Sequence, residues 1–336
     1  MSEIKPVLID NLNSWSQKNT KDFVLMGLQR KCIGLLVAPP DTGKSYFSIS
    51  LGYELATTLP IIGLTEQSIS QNVVYWPLED GVAIASDRIQ KSLDTFSADN
   101  QKLIGAHFFL YEGETPICSS KRLINTPEYQ LVNEEKNRLI EKLIQVKADL
   151  LIIDTLRESI GSADEVEDDY QVKMVLEEIA HKANCAILAI HHPTKSVSRG
   201  SEDVSTVSPS GFSLLGSKSK LHLYLKKTHK KDITNLELIF SKANYIDMEL
   251  RAVRSLYWAA NSMLHANNLD LENCKAVKAV KAVKAVKAKI APSTLGTVKV
   301  SNEPKSIEIP ASSTGVARRI TPELDRLRSK ALTISK

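Results

Sequence analysis

A lysine and a serine side by side, Lys44 and Ser45, end the run LLVAPPDTGKS over residues 35–45. An ammonium and a hydroxyl placed after a glycine, where a helix begins, suit phosphate chemistry. Successive backbone N–H groups converge on a β-phosphate, the lysine reaches the β and γ oxygens, and the hydroxyl ligates Mg²⁺. Gly43 stands where the backbone must approach phosphate most closely. The usual pattern, G-x-x-x-x-G-K-[ST], opens on glycine, whereas this loop opens on Ala38. That first position mainly turns the chain, alanine is the smallest substitute there, and Pro39-Pro40 stiffens the same turn by fixing φ. Ala38, Pro39, Pro40, Asp41, Thr42, Gly43, Lys44, Ser45 and Tyr46 are therefore the candidate ATP-binding loop. A bare G-K-[ST] also arises by chance in a chain of average composition, so the surroundings must carry the argument.

Hydrolysis needs a carboxylate to hold a magnesium-bound water and a group to activate the attacking one. LLIIDTLR ends an apolar run on Asp154, and VVYWPLEDG places Glu79-Asp80 directly after another. Each has an ordinary explanation: an aspartate ending a strand caps the next helix, and an acidic pair is solvated charge. Taken with the loop they fit one site, because ligands of open α/β sheets bind at the carboxyl ends of the strands. Ser45 and Asp154 are then the candidate Mg²⁺ ligands, and Glu79 the candidate activator of water.

The elements that must position these residues are legible as alternation. CIGLLVA (32–38), NVVYWPLE (72–79), HFFLYEG (107–113), DLLIID (149–154) and CAILAIHH (185–192) read as buried strands, with helical stretches between them. SYFSISLGYELATTL spaces Phe47, Leu51 and Leu55 on one side of a helix. Two further helices carry Val132, Leu139, Leu143 and Val146, and Val172, Val175, Leu176 and Ile179, on one face each. Such strand–helix units build an α/β fold with a largely parallel sheet. After residue 220, LHLYLKK, a polar turn and LELIFSKANY read as an antiparallel hairpin, and YWAANS (257–262) as an added edge strand.

Composition limits the rest. With 43% hydrophobic and 24% charged residues the 336-residue chain buries a core. No apolar run is long enough to span a bilayer and the start lacks a signal-peptide layout, which points to the cytoplasm and to no membrane partner. Four scattered cysteines without a C-x-x-C pair point to a reducing compartment and no structural zinc. The net charge of +4 hides an asymmetry: residues 265–336 hold 14 Lys and Arg against 6 Asp and Glu. Two parts follow, an ATPase domain over 1–264 and a basic low-complexity tail over 265–336, disordered or loosely helical. Its KAVKAVKAVKAV repeat (275–286) moves each lysine about 60° around a helix and leaves no stable apolar face. It reads as a solvated linker or as a tail attracting nucleic acid, and the final TPELDRLRSKAL as a short helix for a partner such as a replication protein.

These motifs resemble those of the RecA-like P-loop ATPases, within them the hexameric plasmid replicative helicases of the RepA type and their AAA-family relatives. The likeness covers about residues 15–262: LLVAPPDTGKS, PIIGL, YWPLED, LLIIDTLR, AILAIHHPTK and LIFSKANY, in that order. It implies a RecA-like three-layer α/β/α core, an antiparallel hairpin at its C-terminal edge, ATP bound between subunits of a homo-oligomeric, hexameric ring, and single-stranded DNA through the centre. It also implies that Arg88 lies near the nucleotide and that one of His191 and His192, in our reading His192, senses the γ-phosphate. Lys242 and Asn244 match a family signature that contacts a base or a neighbouring subunit.

The departure falls between 193 and 226. The family places an arginine in an R-G-S-S stretch and a second about ten residues on; here those places hold Ser210-Gly211 and Lys220. Arg199 of R-G-S, about eleven residues earlier, is the candidate catalytic arginine if the loop has shifted, and otherwise Lys218 or Lys220 takes the task. Lysine lacks the planar fork that grips phosphate. Two readings stay open: a DNA motor in plasmid or mobile-element replication, and an ATP-gated DNA-binding regulator or helicase loader that turns over slowly. A small-molecule kinase is disfavoured, since no arginine-rich lid follows.

Overall fold

Two short strands, β1 (Phe23–Leu25) and β2 (Leu28–Gln29), open the described chain as a small antiparallel hairpin that the sequence pattern does not mark. The computed structural model describes residues 23–65, 67–113, 116–193, 212–230, 233–246, 250–259 and 263–267. Arg199, Ser210-Gly211, Cys274, the lysine repeat and the C-terminal stretch lie outside the described residues, which all fall in one compact unit, residues 1–288.

The five apolar runs are β3 (Ile33–Val37), β4 (Val73–Pro77), β5 (Phe108–Leu110), β6 (Leu150–Asp154) and β7 (Ala186–His191). They pair in parallel, with register Val37↔His191, Ile153↔Ala189 and Pro77↔Asp154, so their carboxyl ends share one edge. β8 (Leu221–Lys230) runs parallel to β3, then turns back as β9 (Ile233–Ala243). β10 (Arg254–Trp258) and β11 (Leu264–Ala266) complete a nine-stranded sheet of order β11-β10-β9-β8-β3-β7-β6-β4-β5. The edge strand read at 257–262 is thus displaced: β10 ends at Trp258 and β11 forms the edge. The sheet also runs two residues past 264, where the sequence placed the end of the ATPase domain.

Along β3 the side chains alternate between two cores. Leu36 faces α1 (Lys44–Thr57), while Ile33, Leu35 and Val37 face the opposite layer of α4 (Pro127–Gln145) and α6 (Asp169–Lys182). The first layer also holds α2 (Gly81–Leu93) and α3 (Ala98–His107); the second includes α5 (Leu156–Ser159) and α7 (Ser213–Lys218). This is an α/β/α sandwich of RecA type. α1 is not amphipathic: every residue but Ser45 and Tyr46 is buried, because the sheet, α2, α3 and β11 surround it. Among the described residues no helix is long and apolar enough to cross a membrane, and Cys32, Cys118 and Cys185 are free thiols.

A carboxylate inside this layer fixes the loop after α1. Glu54 is fully buried and accepts the backbone N–H groups of Ile61, Ile62, Gly63, Leu64 and Thr65. That loop in turn holds the sheet margins, through Met26 N–H to the Leu64 carbonyl and Ala266 N–H to the Ile61 carbonyl, both at 2.7 Å. PIIGL is therefore a nest of N–H donors around one side chain.

Candidate active site

β3 delivers the chain to the phosphate loop and α1 leads it away. Ala38 is fully buried and its N–H donates to the His191 carbonyl at 3.1 Å, so a small first residue fits against the neighbouring strand. The Thr42 hydroxyl closes the loop onto the Pro39 carbonyl at 2.6 Å. Asp41 (φ 57°) and Gly43 (φ 87°) take left-handed conformations. At Gly43 a side chain is excluded twice, by that φ and because a Cβ would lie 2.9 Å from the Trp258 ring. Lys44, the first residue of α1, is 7% exposed.

Beside it stands an oxygen-rich group. Asp154 ends β6, 1% exposed; its Oδ2 accepts from the Tyr75 hydroxyl at 2.8 Å. Its Oδ1 is buried with no hydrogen-bond partner. Burial pushes the Asp154 pKa up, while the Tyr75 and Ser45 hydroxyls and the Lys44 ammonium pull it down. Ser45 donates to Asp80 Oδ2 at 3.4 Å, and the same oxygen accepts from Arg88. Arg88 lies 4.9 Å above the Tyr46 ring, and Tyr46 meets Trp258 edge-on at 5.2 Å. A cleft of about 340 Å³ opens between the loop, Glu79, Asp80, Arg88 and Trp258.

The orphaned Asp154 oxygen, the Ser45 hydroxyl and the Asp80 carboxylate are hard oxygen donors that suit Mg²⁺. Among the described residues no group of three His, Cys, Asp or Glu is placed to hold a metal ion by itself.

Glu79 is exposed at the end of β4, where its N–H donates to the Asp154 carbonyl at 3.0 Å. The two histidines part. His191 is buried edge-on to Phe212 at 5.0 Å, with Nε2 3.8 Å from Glu165. His192 lies on the loop side: burial and the Lys44 charge lower its pKa, against opposing contributions from Glu79 and the Ala38 backbone. The sequence pattern singles out Glu79 and passes over Asp80, although the acidic pair is visible in it; it also misses Tyr75 and Trp258, which carry no motif.

The AAA domain family matches residues 1–198. The chain belongs to this family. It is a P-loop NTP hydrolase with a RecA-like core. No curated protein matches. Among solved structures it is similar to the ATPase domain of G40P, at 12% identity and a TM-score of 0.54, over 79% of this chain and 100% of that one. It is also similar to a DnaB-like replicative helicase whose structure covers its interactions with primase, at 12% identity and a TM-score of 0.52, over 78% and 67%. Both likenesses are of fold.

Of the other candidates, the structure does not bring Lys218, Lys220 or Lys242 to the cleft. Lys218 ends α7 and Lys220 precedes β8, beside the start of β3 and so at the edge opposite the phosphate loop. Lys242 donates to the carbonyls of Gly216 and Ser217.

Proposed function

We propose that this ATPase is Mg²⁺-dependent and works on single-stranded DNA as a ring of identical subunits, hexameric by analogy with the helicases it resembles, in replication of a plasmid or mobile element. The convergence of Lys44, Ser45, Asp154, Glu79 and His192 on one sheet edge carries the reading. Lys44 holds the β and γ oxygens, and the loop N–H groups orient them. Ser45 and Asp154 would hold Mg²⁺, which neutralises phosphate charge as it transfers. Glu79 takes the proton of the attacking water, so the water oxygen reaches the γ-phosphorus as the bond to the β-bridging oxygen breaks. His192, its pKa lowered, is neutral at pH 7 and offers an N–H donor to the γ-phosphate. The fold shared with a replicative helicase supports a DNA role.

A second reading, an ATP-gated regulator or loader, is favoured by one observation: lysine stands where the family's second arginine is expected. Turnover with and without single-stranded DNA separates the two, for the natural chain and for Lys44→Ala, Glu79→Gln and Arg199→Ala. The motor requires a several-fold rise with DNA; a rate that DNA leaves unchanged, with Arg199→Ala silent, selects the switch. Normal ATP binding by Lys44→Ala would remove the phosphate-loop assignment.

A further inference from the structure

The helix layer opposite α1 holds a second cavity. Its walls are two stripes of matching spacing: Tyr129, Val132, Asn133 and Lys136 along α4, and Gln171, Met174, Val175 and Glu178 along α6. Each stripe runs i, i+3, i+4, i+7, so it keeps to one helix face over two turns. The floor is Ile117, Cys118 and Ser119, tied to the sandwich where the Ile117 N–H donates to the Ser159 carbonyl at 2.9 Å. About 240 Å³ is left between them, below the ~300–1,000 Å³ of a drug-sized site and right for a smaller molecule.

The two charges in the lining cancel. Lys136 Nζ lies 2.7 Å from Glu178 Oε2, and Glu178 Oε1 takes Lys182 at the same distance. A charged ligand would have to break that pair, so the cavity suits an uncharged one. Ile117, Val132 and Val175 are buried and Met174 is half-exposed, walls that fit a flat apolar body with the Met174 thioether against a ring. Three neutral polar groups, from three elements, stay open among the described residues: the Ser119 hydroxyl is buried with no hydrogen-bond partner, and the amides of Asn133 and Gln171 bond to none of those residues. A carboxamide offers both a donor and an acceptor, so Asn133 and Gln171 match a group that does the same. The Cys118 thiol is already spent on the Ser119 carbonyl at 3.7 Å, and burial pushes its pKa up to about 12, so it stays protonated and forms no covalent bond with a ligand.

We propose that the cavity between α4 and α6 binds a small uncharged molecule with a flat apolar body and an amide group, held by Ser119, Asn133 and Gln171. The site depends on neither the ring nor DNA.

The test uses the full chain, labelled at its methionine methyl carbons and saturated with ADP so that the nucleotide cleft is closed to the probe. Benzamide is the probe; toluene lacks its hydrogen bonds, and benzoate carries a charge. Benzamide should shift the Met174 methyl signal, assigned through Met174→Leu, with a Kd of about 1 mM, the scale for a ligand of so few atoms. Toluene and benzoate should bind about tenfold more weakly. Asn133→Leu with Gln171→Leu should weaken benzamide about tenfold and leave toluene as it was or tighter. Ser119→Ala removes a hydroxyl that has no partner, so the fold should keep its unfolding midpoint while benzamide affinity falls about fivefold. No shift at Met174, benzamide bound no better than toluene, or an affinity that Ser119→Ala and the double variant leave unchanged would each overturn the proposal, and ordered water would then be the cavity's only occupant.

Discussion

The two edges of this sheet treat charge in opposite ways. At the carboxyl edge the acidic groups have a counterpart or a use: Asp80 takes Arg88 and the Ser45 hydroxyl, and Asp154 takes the Tyr75 hydroxyl and keeps one oxygen open. At the other edge Glu54 is saturated with five N–H donors, and in the opposite helix layer Lys242 donates to two carbonyls at the end of α7. Saturated groups hold backbone: Glu54 gathers the loop after α1, and Lys242 caps the last turn of α7. The orphaned Asp154 oxygen is instead left for a cation.

Substituting Gly43 by alanine breaks the comparison hardest on the nucleotide side. A Cβ at left-handed φ costs about 1–2 kcal/mol, and the Trp258 ring 2.9 Å away adds a clash. ATP affinity should fall roughly 100-fold, and Trp258→Ala should restore part of it. Normal binding by Gly43→Ala would mean that close approach of backbone to phosphate is not used. On the opposite side Glu54→Gln turns an amide NH₂ toward backbone donors and should lower stability by about 3 kcal/mol in a denaturant titration. An unchanged midpoint would show that the nest does not hold the loop.

These residues also mark what the sequence makes legible. Lys44, Ser45, Glu79, Asp154 and the five parallel strands are visible in it because phosphate chemistry and buried strands each impose a local pattern. Trp258 is not, because its position beside Gly43 depends on β10 joining the sheet more than two hundred residues away. Glu54 is hidden in a helix whose pattern reads as one-sided, since complete burial of α1 is a property of its neighbours. β1 and β2 are too short for periodicity to register. Lys218 and Lys220 stand out in the sequence only as substitutes for arginine, and Lys242 only as part of a family signature; that Lys242 lies beside them depends on the pairing of β8 with β9.

His222 gives the opposite edge a pH signature. Burial and the Lys242 charge hold its pKa down at about 4, below its ordinary value. Above about pH 6.5 the folded and unfolded chains both carry it neutral; as pH falls the unfolded chain binds the proton first, so stability drops. Between pH 7.5 and 5 the loss should be about 2 kcal/mol, with Lys242 as the facing charge and Ser219 as the hydrogen-bond partner. His222→Gln should flatten that slope in unfolding experiments across the range. A slope that survives the substitution would assign it to other groups.

Asp80→Asn makes the smallest change and asks the narrowest question, whether this carboxylate serves the cation or only Arg88. Its Oδ2 reaches both the Ser45 hydroxyl and the Arg88 guanidinium, and the pair is partly exposed, so the effect is about 1 kcal/mol. If the carboxylate draws Mg²⁺ toward Ser45, half-saturation of Mg²⁺-dependent ATP binding should need about fivefold more Mg²⁺. Binding in EDTA should stay as it was, because Lys44 and the loop N–H groups act on phosphate directly. Glu79→Gln, by contrast, should slow turnover and leave the Mg²⁺ requirement alone. An equal loss for Asp80→Asn with and without Mg²⁺ would return Asp80 to the role of holding Arg88 against Tyr46, and would leave Ser45 and Asp154 to meet the cation without it.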